Sequence, residues 1–342
     1  MTDRSFDWAR TLGALAAGES LSRETANAAM ARVMAGDATP AQIASLVTGL
    51  RAKGETSDEI TGMVEAMLDA AVTVDAGDDV VDIVGTGGDK SGTFNISTTA
   101  AFIAAGAGAK VAKHGNRAAS SKTGSADILE ALGIDIELSP EATVEMIRTV
   151  GFGFFFAPRY HPAMRHAGPV RREIGFRTVF NILGPLCNPA RAKRYAMGVA
   201  DPQLAGKMIE VLRNTGAETA FVFHGEDGLD ELTTTAPSII YRLIDGEITH
   251  AEFTPEDFGI PRAVHGELLG GDVDENKAIT LGILEGTPGP KRDIALINAA
   301  PAIVAAGLAD GFTEGMDLAI QALDAGDALA VLERAVAFSG SA

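Results

Sequence analysis

From residue 79 onward, short β-rich runs alternate with helix-forming stretches; before residue 75 no such run occurs. Parallel strands need a crossover of a dozen or more residues between them, usually a helix, so this spacing restricts the chain to a few layered folds. Asp79–Val84, Lys110–Ala112, Gly153–Ala157, Tyr195–Ala200 and Thr219–Phe223 read as buried strands. Helices are predicted from Asn95 to Ala107 and near Ser125–Leu132. Ile239–Leu243 and Glu247–Phe253 flank Asp245-Gly246 and read as a hairpin. The expected class is α/β, with a central, mainly parallel sheet flanked by helices.

The first seventy residues and the last seventy read as helical. Thr39-Pro40 is a start signal, with Thr39 as the cap and Pro40 in the first turn; Ile43, Leu46, Val47 and Leu50 then share a face. Ser57 opens a second helix with Ile60, Met63, Val64 and Met67 as its stripe. A small all-helical domain over 1–72 is therefore expected ahead of the larger α/β domain, with a linker near 70–77. The 342 residues suit two domains.

Charge narrows the function. Lys plus Arg is 28 and Asp plus Glu is 46, a net −18, which opposes broad nucleic-acid binding. The single cysteine, Cys187, cannot close an intramolecular disulfide, which suits a reducing cytosol, and no activating base lies near it in sequence. The opening ten residues carry Asp3 and Asp7 and do not read as a secretory leader. The weakly polar stretches 100–109 and 295–309 are too short to span a bilayer, so a soluble protein is expected.

Four segments carry chemistry. Gly85-Thr86-Gly87-Gly88-Asp89-Lys90-Ser91-Gly92-Thr93 lies between a strand and a helix. Its glycines allow tight turns and close backbone approach, and the N–H groups of the following helix favour an anion. Neither a dinucleotide fingerprint nor a P-loop fits the spacing, and a plain glycine turn is the alternative. Lys113 to Ser125 gathers three cations, an imidazole, an amide and four hydroxyls after the next strand, suited to phosphate or else a solvated basic loop. Asp230-Glu231, in a glycine-flanked loop after a strand, offers hard oxygen ligands for Mg²⁺; alone, such a pair is commonly a solvated turn. His161 to Arg172 begins at a Pro162 helix start, with Met164, Val170 and Ile174 in packing. Its Arg171 and Arg172 are candidates for a carboxylate or for a surface role.

These segments, in order, resemble the anthranilate phosphoribosyltransferase family. The likeness rests on Gly85-Thr-Gly-Gly-Asp89, Asn95-Ile-Ser-Thr98, Lys113-His-Gly-Asn-Arg117, Ser120 to Asp127, His161-Pro-Ala-Met164, Arg177 to Pro189, and Asp230-Glu231. It implies phosphoribosyl transfer from 5-phosphoribosyl 1-diphosphate to the amine of anthranilate, in tryptophan biosynthesis. Gly85, Gly88, Asp89, Thr93, Asn95, Ser97, Thr98, Lys113, His114, Gly115, Asn116, Arg117, Ala118, Ala119, Ser120, Ser121 and Ser125 are then the expected substrate contacts on the donor side. Gly85, Asn116 and Arg171 would meet anthranilate, with His114 and His161 near its path. Ser97, Asp230 and Glu231 would help hold two Mg²⁺ ions, and Lys113, Arg171, Asp230 and Glu231 would carry catalysis. The resemblance further implies a cytoplasmic homodimer formed through the helical domain, a hinge near 70–77, and a middle segment near 162–190 joining the helical domain, leaving 78–161 and 191–342 to the α/β domain. Two other readings of the same fold are a pyrimidine nucleoside phosphorylase, whose lysine-and-serine loop differs from Lys113-His-Gly-Asn, and a non-catalytic nucleic-acid binder, which the acidic charge opposes.

Overall fold

The structure, a computed structural model, describes residues 6–118 and 122–341. Four helices open it: α1 (Trp8–Ala16), α2 (Arg23–Ala35), α3 (Pro40–Lys53) and α4 (Ser57–Asp69). Each starts on a side-chain cap, and Thr39 with Gln42, like Thr56 with Glu59, forms a reciprocal capping box. The stripes read from the sequence of α3 and α4 are buried.

Strands and helices then alternate: β1 (Val80–Gly85), α5 (Ile96–Gly106), β2 (Lys110–Gly115), α6 (Ser125–Ala131), α7 (Pro140–Val150) and β3 (Phe152–Phe156). The short helices α8 (Ala157–Tyr160), α9 (Gly168–Ile174) and α10 (Phe180–Leu183) lead to β4 (Arg194–Gly198), α11 (Pro202–Asn214) and β5 (Thr219–Gly225). A hairpin of β6 (Ser238–Ile244) and β7 (Glu247–Phe253) follows. Its turn residues Asp245 (φ 51°) and Gly246 (φ 81°) are both left-handed, as a primed turn requires. The chain ends in α12 (Val273–Leu284), α13 (Pro290–Ala305), α14 (Phe312–Asp324) and α15 (Asp327–Ser339).

One seven-stranded sheet results, in the order β3-β2-β1-β4-β5-β6-β7, parallel through β5 and antiparallel at the hairpin edge. The chain lays β2 and β3 to one side of β1, then crosses to place β4 on the other. Ligands of open α/β sheets bind beyond the carboxyl ends of the strands where the order reverses. Here that place lies between β1 and β4, where Gly85 pairs with Gly198. One face of the sheet packs Val81, Ile83 and Val111 against α5, α6 and the C-terminal helices. The other packs Val80, Val84, Tyr195 and Met197 into a core that runs without a break into α2, α3 and α4.

Residues 161–174 depart from the expected single helix. Pro162–His166 is a 3₁₀ turn, and α9 begins only at Gly168, because Pro169 lacks the N–H that would carry a helix through. Val170 is buried, whereas Met164 and Ile174 are half-buried against the same core. The stretch after α4 is strapped down: the Val72 N–H donates to Tyr160 O (2.8 Å) and the Val74 N–H to Pro189 O (3.1 Å).

Candidate active site

The loop after β1 and the loop after β5 meet above the β1–β4 junction. Asp230 lies over both strand ends. A Cβ on Gly198 would fall 1.7 Å from the Asp230 carbonyl oxygen, and one on Gly85 2.5 Å from Asp230 Oδ2. Neither site could hold a side chain with Asp230 in place. The Gly87 N–H donates to Asp230 Oδ2 (2.6 Å), which ties the glycine loop to the acidic one. Gly87 (φ 62°), Gly88 (φ 82°) and Lys90 (φ 59°) all sit in the left-handed region, so this loop turns repeatedly in a conformation that glycine tolerates best.

Three carboxylates crowd here. Asp230 and Glu231 keep some surface exposure, yet little water surrounds them. Burial, with the nearby charge of Asp89 second, pushes Asp230 up to about 6. Burial first, and then Asp230, pushes Glu231 well above its ordinary value, while Lys113 and the Ser97 backbone oppose the shift. Like charges held together in a poorly solvated place are what a cation relieves. Among the described residues no group of three or more His, Cys, Asp or Glu could cage a metal ion alone. The adjacent carboxylates of Asp230 and Glu231, with Ser97 beside them, fit Mg²⁺, which binds through one or two carboxylates and takes its remaining ligands from water and substrate phosphate.

Lys113 differs from the expected open phosphate-binding cation. It is buried, and its Nζ donates to Ile83 O and to Ser97 Oγ (3.3 Å). Burial lowers its pKa, and the charges of Asp82, Glu231 and Asp230 work against that. It therefore props Ser97 and balances the acids from below. Asn95 begins α5 without capping it; its Nδ2 donates to Thr123 O (3.1 Å) and its Oδ1 accepts from Asn276 Nδ2 (3.1 Å). Thr98 Oγ1 is buried with no hydrogen-bond partner among the described residues. Asp89 accepts from Ser91 Oγ (2.6 Å), which is also 3.1 Å from Thr93 Oγ1, so these three form one polar turn.

The second loop divides. His114 and His161 are buried with ring centroids 5.1 Å apart, and His161 Nε2 lies 2.9 Å from Cys187 O. Burial, reinforced by the neighbouring His161, pushes His114 down to about 3; its Nε2 has no hydrogen-bond partner among the described residues. A neutral ring with an open nitrogen suits an aromatic substrate better than a phosphate. Gly115 lies at the end of β2 against Phe154 and Ser125, and Asn116 is exposed beyond it. Arg117 turns outward to Glu130 and Asp127 of α6, and the Ala118 N–H donates to Asp127 Oδ2 (2.9 Å). Ala119, Ser120 and Ser121 lie outside the described residues.

Arg171 stands on α9, half-buried, with its Cζ 5.3 Å from the centre of the Phe180 ring. Burial lowers its pKa, and no carboxylate among the described residues pairs with it. No contact among the described residues joins it to the acidic cluster. Arg177 does join it: the guanidinium lies where a Cβ on Gly88 would sit, donates to Thr86 O (3.3 Å), and its charge pulls Asp230 down. Sequence reasoning gave Arg177 no role beyond its place at the start of the Arg177 to Pro189 likeness, because the glycine loop it meets lies more than eighty residues before it. Cys187 is fully buried and burial raises its thiol above the usual range, in keeping with no reactive part.

Comparison with known proteins accords with this geometry. Residues 10–71 match the helical bundle domain of the glycosyl transferase family, and residues 77–329 match its a/b domain. The chain is 49% identical over 337 residues to the anthranilate phosphoribosyltransferase of Rhodopseudomonas palustris (strain BisA53), covering 98% of this chain and 99% of that one. It is 53% identical over 318 residues to that of Herpetosiphon aurantiacus, covering 92% and 94%. The crystal structure of the Thermus thermophilus enzyme superposes with a TM-score of 0.91 at 44% identity, covering 96% and 99%. The Saccharomyces cerevisiae enzyme in complex with PRPP and Mg superposes at 0.89 with 26% identity, covering 100% and 99%. By sequence, by fold and by the residues gathered at the β1–β4 junction, the chain belongs to the anthranilate phosphoribosyltransferase family.

Proposed function

We propose that this chain transfers the phosphoribosyl group of 5-phosphoribosyl 1-diphosphate to the amine of anthranilate, releasing diphosphate, in tryptophan biosynthesis. The observation that carries the reading is the crowding of Asp89, Asp230 and Glu231 against a glycine loop at the β1–β4 junction. Anthranilate is a weak nucleophile, so the demanding event is departure of a highly charged diphosphate from ribose C1. As the C1–O bond breaks, the C1–N bond forms, and the ammonium proton then passes to water. Backbone N–H groups of the Gly85–Thr93 loop and the start of α5 hold the leaving oxygens. Magnesium bound at Ser97, Asp230 and Glu231, which we take to be two ions, supplies the positive charge that the departing diphosphate needs. Lys113 fixes Ser97, and Arg171 receives the anthranilate carboxylate on its unpaired fork. His114 and His161 border the ring. These groups position and neutralise, and none needs to act as a covalent nucleophile.

We further propose a cytoplasmic homodimer joined through the helical block, and a hinge near 70–77. A groove of about 730 Å³ between α1 and α2 is lined by Leu21, Ala28 and Ala31 together with the charged Asp7, Arg10, Glu19 and Arg32. The middle segment 162–190 belongs with the helical block: the turn Pro162–His166 packs on α2, α9 on α3, and α10 on α4. Among the described residues no helix is long and apolar enough to cross a membrane.

Diphosphate release tests the activity. Release is expected only when donor, Mg²⁺ and anthranilate are all present. Phosphorolysis of a pyrimidine nucleoside, or salt-dependent retention on DNA without diphosphate release, would overturn the reading.

A further inference from the structure

β1 and β2 carry the two loops of the site, yet they pair only at their beginnings. Their ladder covers Val80↔Lys110 and Val81↔Val111 and stops. On the outer sides pairing continues: β2 with β3 up to Gly115↔Phe156, and β1 with β4 up to Gly85↔Gly198. A parallel ladder continued by two rungs would join the Ile83 N–H to Ala112 O and the His114 N–H to Ile83 O. Side chains hold three of those groups instead. The Asp82 carboxylate accepts from the His114 N–H (3.1 Å to Oδ1), and the adjacent Ile83 N–H favours its ionised form. Asn188 Nδ2 donates to Ala112 O (2.8 Å), and Lys113 Nζ to Ile83 O. Asn188 Nδ2 also donates to Asp82 Oδ2 (2.8 Å), which closes the set. Asp82 and Asn188 are wholly buried.

The sheet therefore has a seam beneath the site, with β2 and β3 on one side and β1, β4 and β5 on the other. The first side ends in His114, Gly115 and Asn116; the second ends in the glycine loop and Asp230-Glu231. Asn188 also fixes the middle segment, since its Oδ1 accepts from the Ala190 N–H (2.9 Å) and the preceding Cys187 O meets His161 Nε2.

We propose that Asp82 and Asn188 are positioning residues that set the width of this seam, and so the placement of His114, Asn116 and His161 against the phosphoribosyl donor. Neither touches a substrate. This rests on the proposed function for which loop meets which substrate. Burial pushes the Asp82 carboxyl up to about 7; the donors aimed at it and the charge of Lys113 oppose the rise and favour the ionised, accepting form.

Asp82→Asn keeps the shape but cannot accept from both the His114 N–H and Asn188 Nδ2. The anthranilate KM is expected to rise about tenfold, the worth of one unsatisfied buried group. The donor KM should stay as it was, because β1 remains laddered to β4. The exchanged pair, Asp82→Asn with Asn188→Asp, restores one donor–acceptor match and should recover part of that rise. A purely structural role would lower the active fraction, and with it kcat, while leaving both KM values alone; that result, or equal changes in both KM values, overturns the inference. If the variants do not fold, amide exchange in the unaltered chain decides. His114 should be as protected as laddered amides such as Ala196, and free exchange there would refute the seam. Absence of diphosphate release from the unaltered chain would instead refute the proposed function, and the exchange result would stand apart from it.

Discussion

In the helical block, Glu59 is fully buried and surrounded by donors: Lys53 Nζ (2.8 Å), the Leu21 N–H (2.8 Å) and both the N–H and the hydroxyl of Thr56. At the ends of β1 and β4, Glu231 faces Asp230 and Asp89, and Lys113, the cation that offsets them, donates to Ile83 O and Ser97 Oγ rather than to it. The first arrangement gives each charge a partner within the fold and needs nothing further. The second sets three carboxylates against Lys113 and Arg177 and leaves negative charge over, and Arg171 is a cation with no carboxylate partner among the described residues. Paired buried charge holds the chain together, whereas unpaired charge marks where something else must bind.

That contrast is broken most sharply at the acids. Asp230→Ala with Glu231→Ala should lower kcat/KM for diphosphate release by about a thousandfold or more. Thermal stability should hold or rise, since a repulsive cluster is removed. A double variant that keeps its activity, or that loses activity only because it unfolds, would place these carboxylates with Glu59.

Arg171 tests the opposite sign. Arg171→Ala should cost on the order of 2–5 kcal/mol of anthranilate use, read as kcat/KM, because a buried fork loses its carboxylate. Donor KM should not move, and stability should fall by no more than about 1 kcal/mol, the worth of the contact with the Phe180 ring. An unchanged anthranilate kcat/KM removes it from that role.

Much of this was legible in the sequence. The β-rich runs and the Asp245-Gly246 turn are local signals set by sterics, and Thr39-Pro40 is a helix start that needs no distant partner. The glycine loop was legible for the same reason. The order of the strands was not, because it depends on which faces bury one another across more than a hundred residues. Asp82 lay in plain view, a carboxylate within Val80-Val81-Asp82-Ile83-Val84, and a charge in so apolar a run asks for a partner. That partner is Asn188, 106 residues away, which no periodicity reveals. The sequence pattern showed Lys113 as a cation near a phosphate loop, but its direction inward to Ile83 O follows from the opened ladder.

Glu59→Gln reverses the first test. It should destabilise the chain by about 2 kcal/mol in urea denaturation, since Lys53 and several N–H groups lose a full acceptor charge. Activity per folded molecule should stay at its original level. A fall in kcat at constant folded fraction would show that the helical block reaches the reaction, against the division drawn above.

Arg117 gives the smallest effect and the finest discrimination. The family likeness places it in the donor loop, but here its guanidinium pairs with Glu130 and Asp127 on an open surface, nearly half exposed. By the rule that separates Glu59 from Glu231, a cation already paired with its own chain should contribute little to binding. Such exposed pairs contribute about 0–1 kcal/mol, because water and salt screen them and two long side chains must be held still. Arg117→Ala should therefore change stability by less than about 1 kcal/mol and leave the donor KM unaltered. A donor KM raised as strongly as the double acid variant lowers turnover would mean that donor binding draws Arg117 away from α6. The paired state would then be one of two positions of this loop, and pairing within the fold would no longer separate structural charge from functional charge.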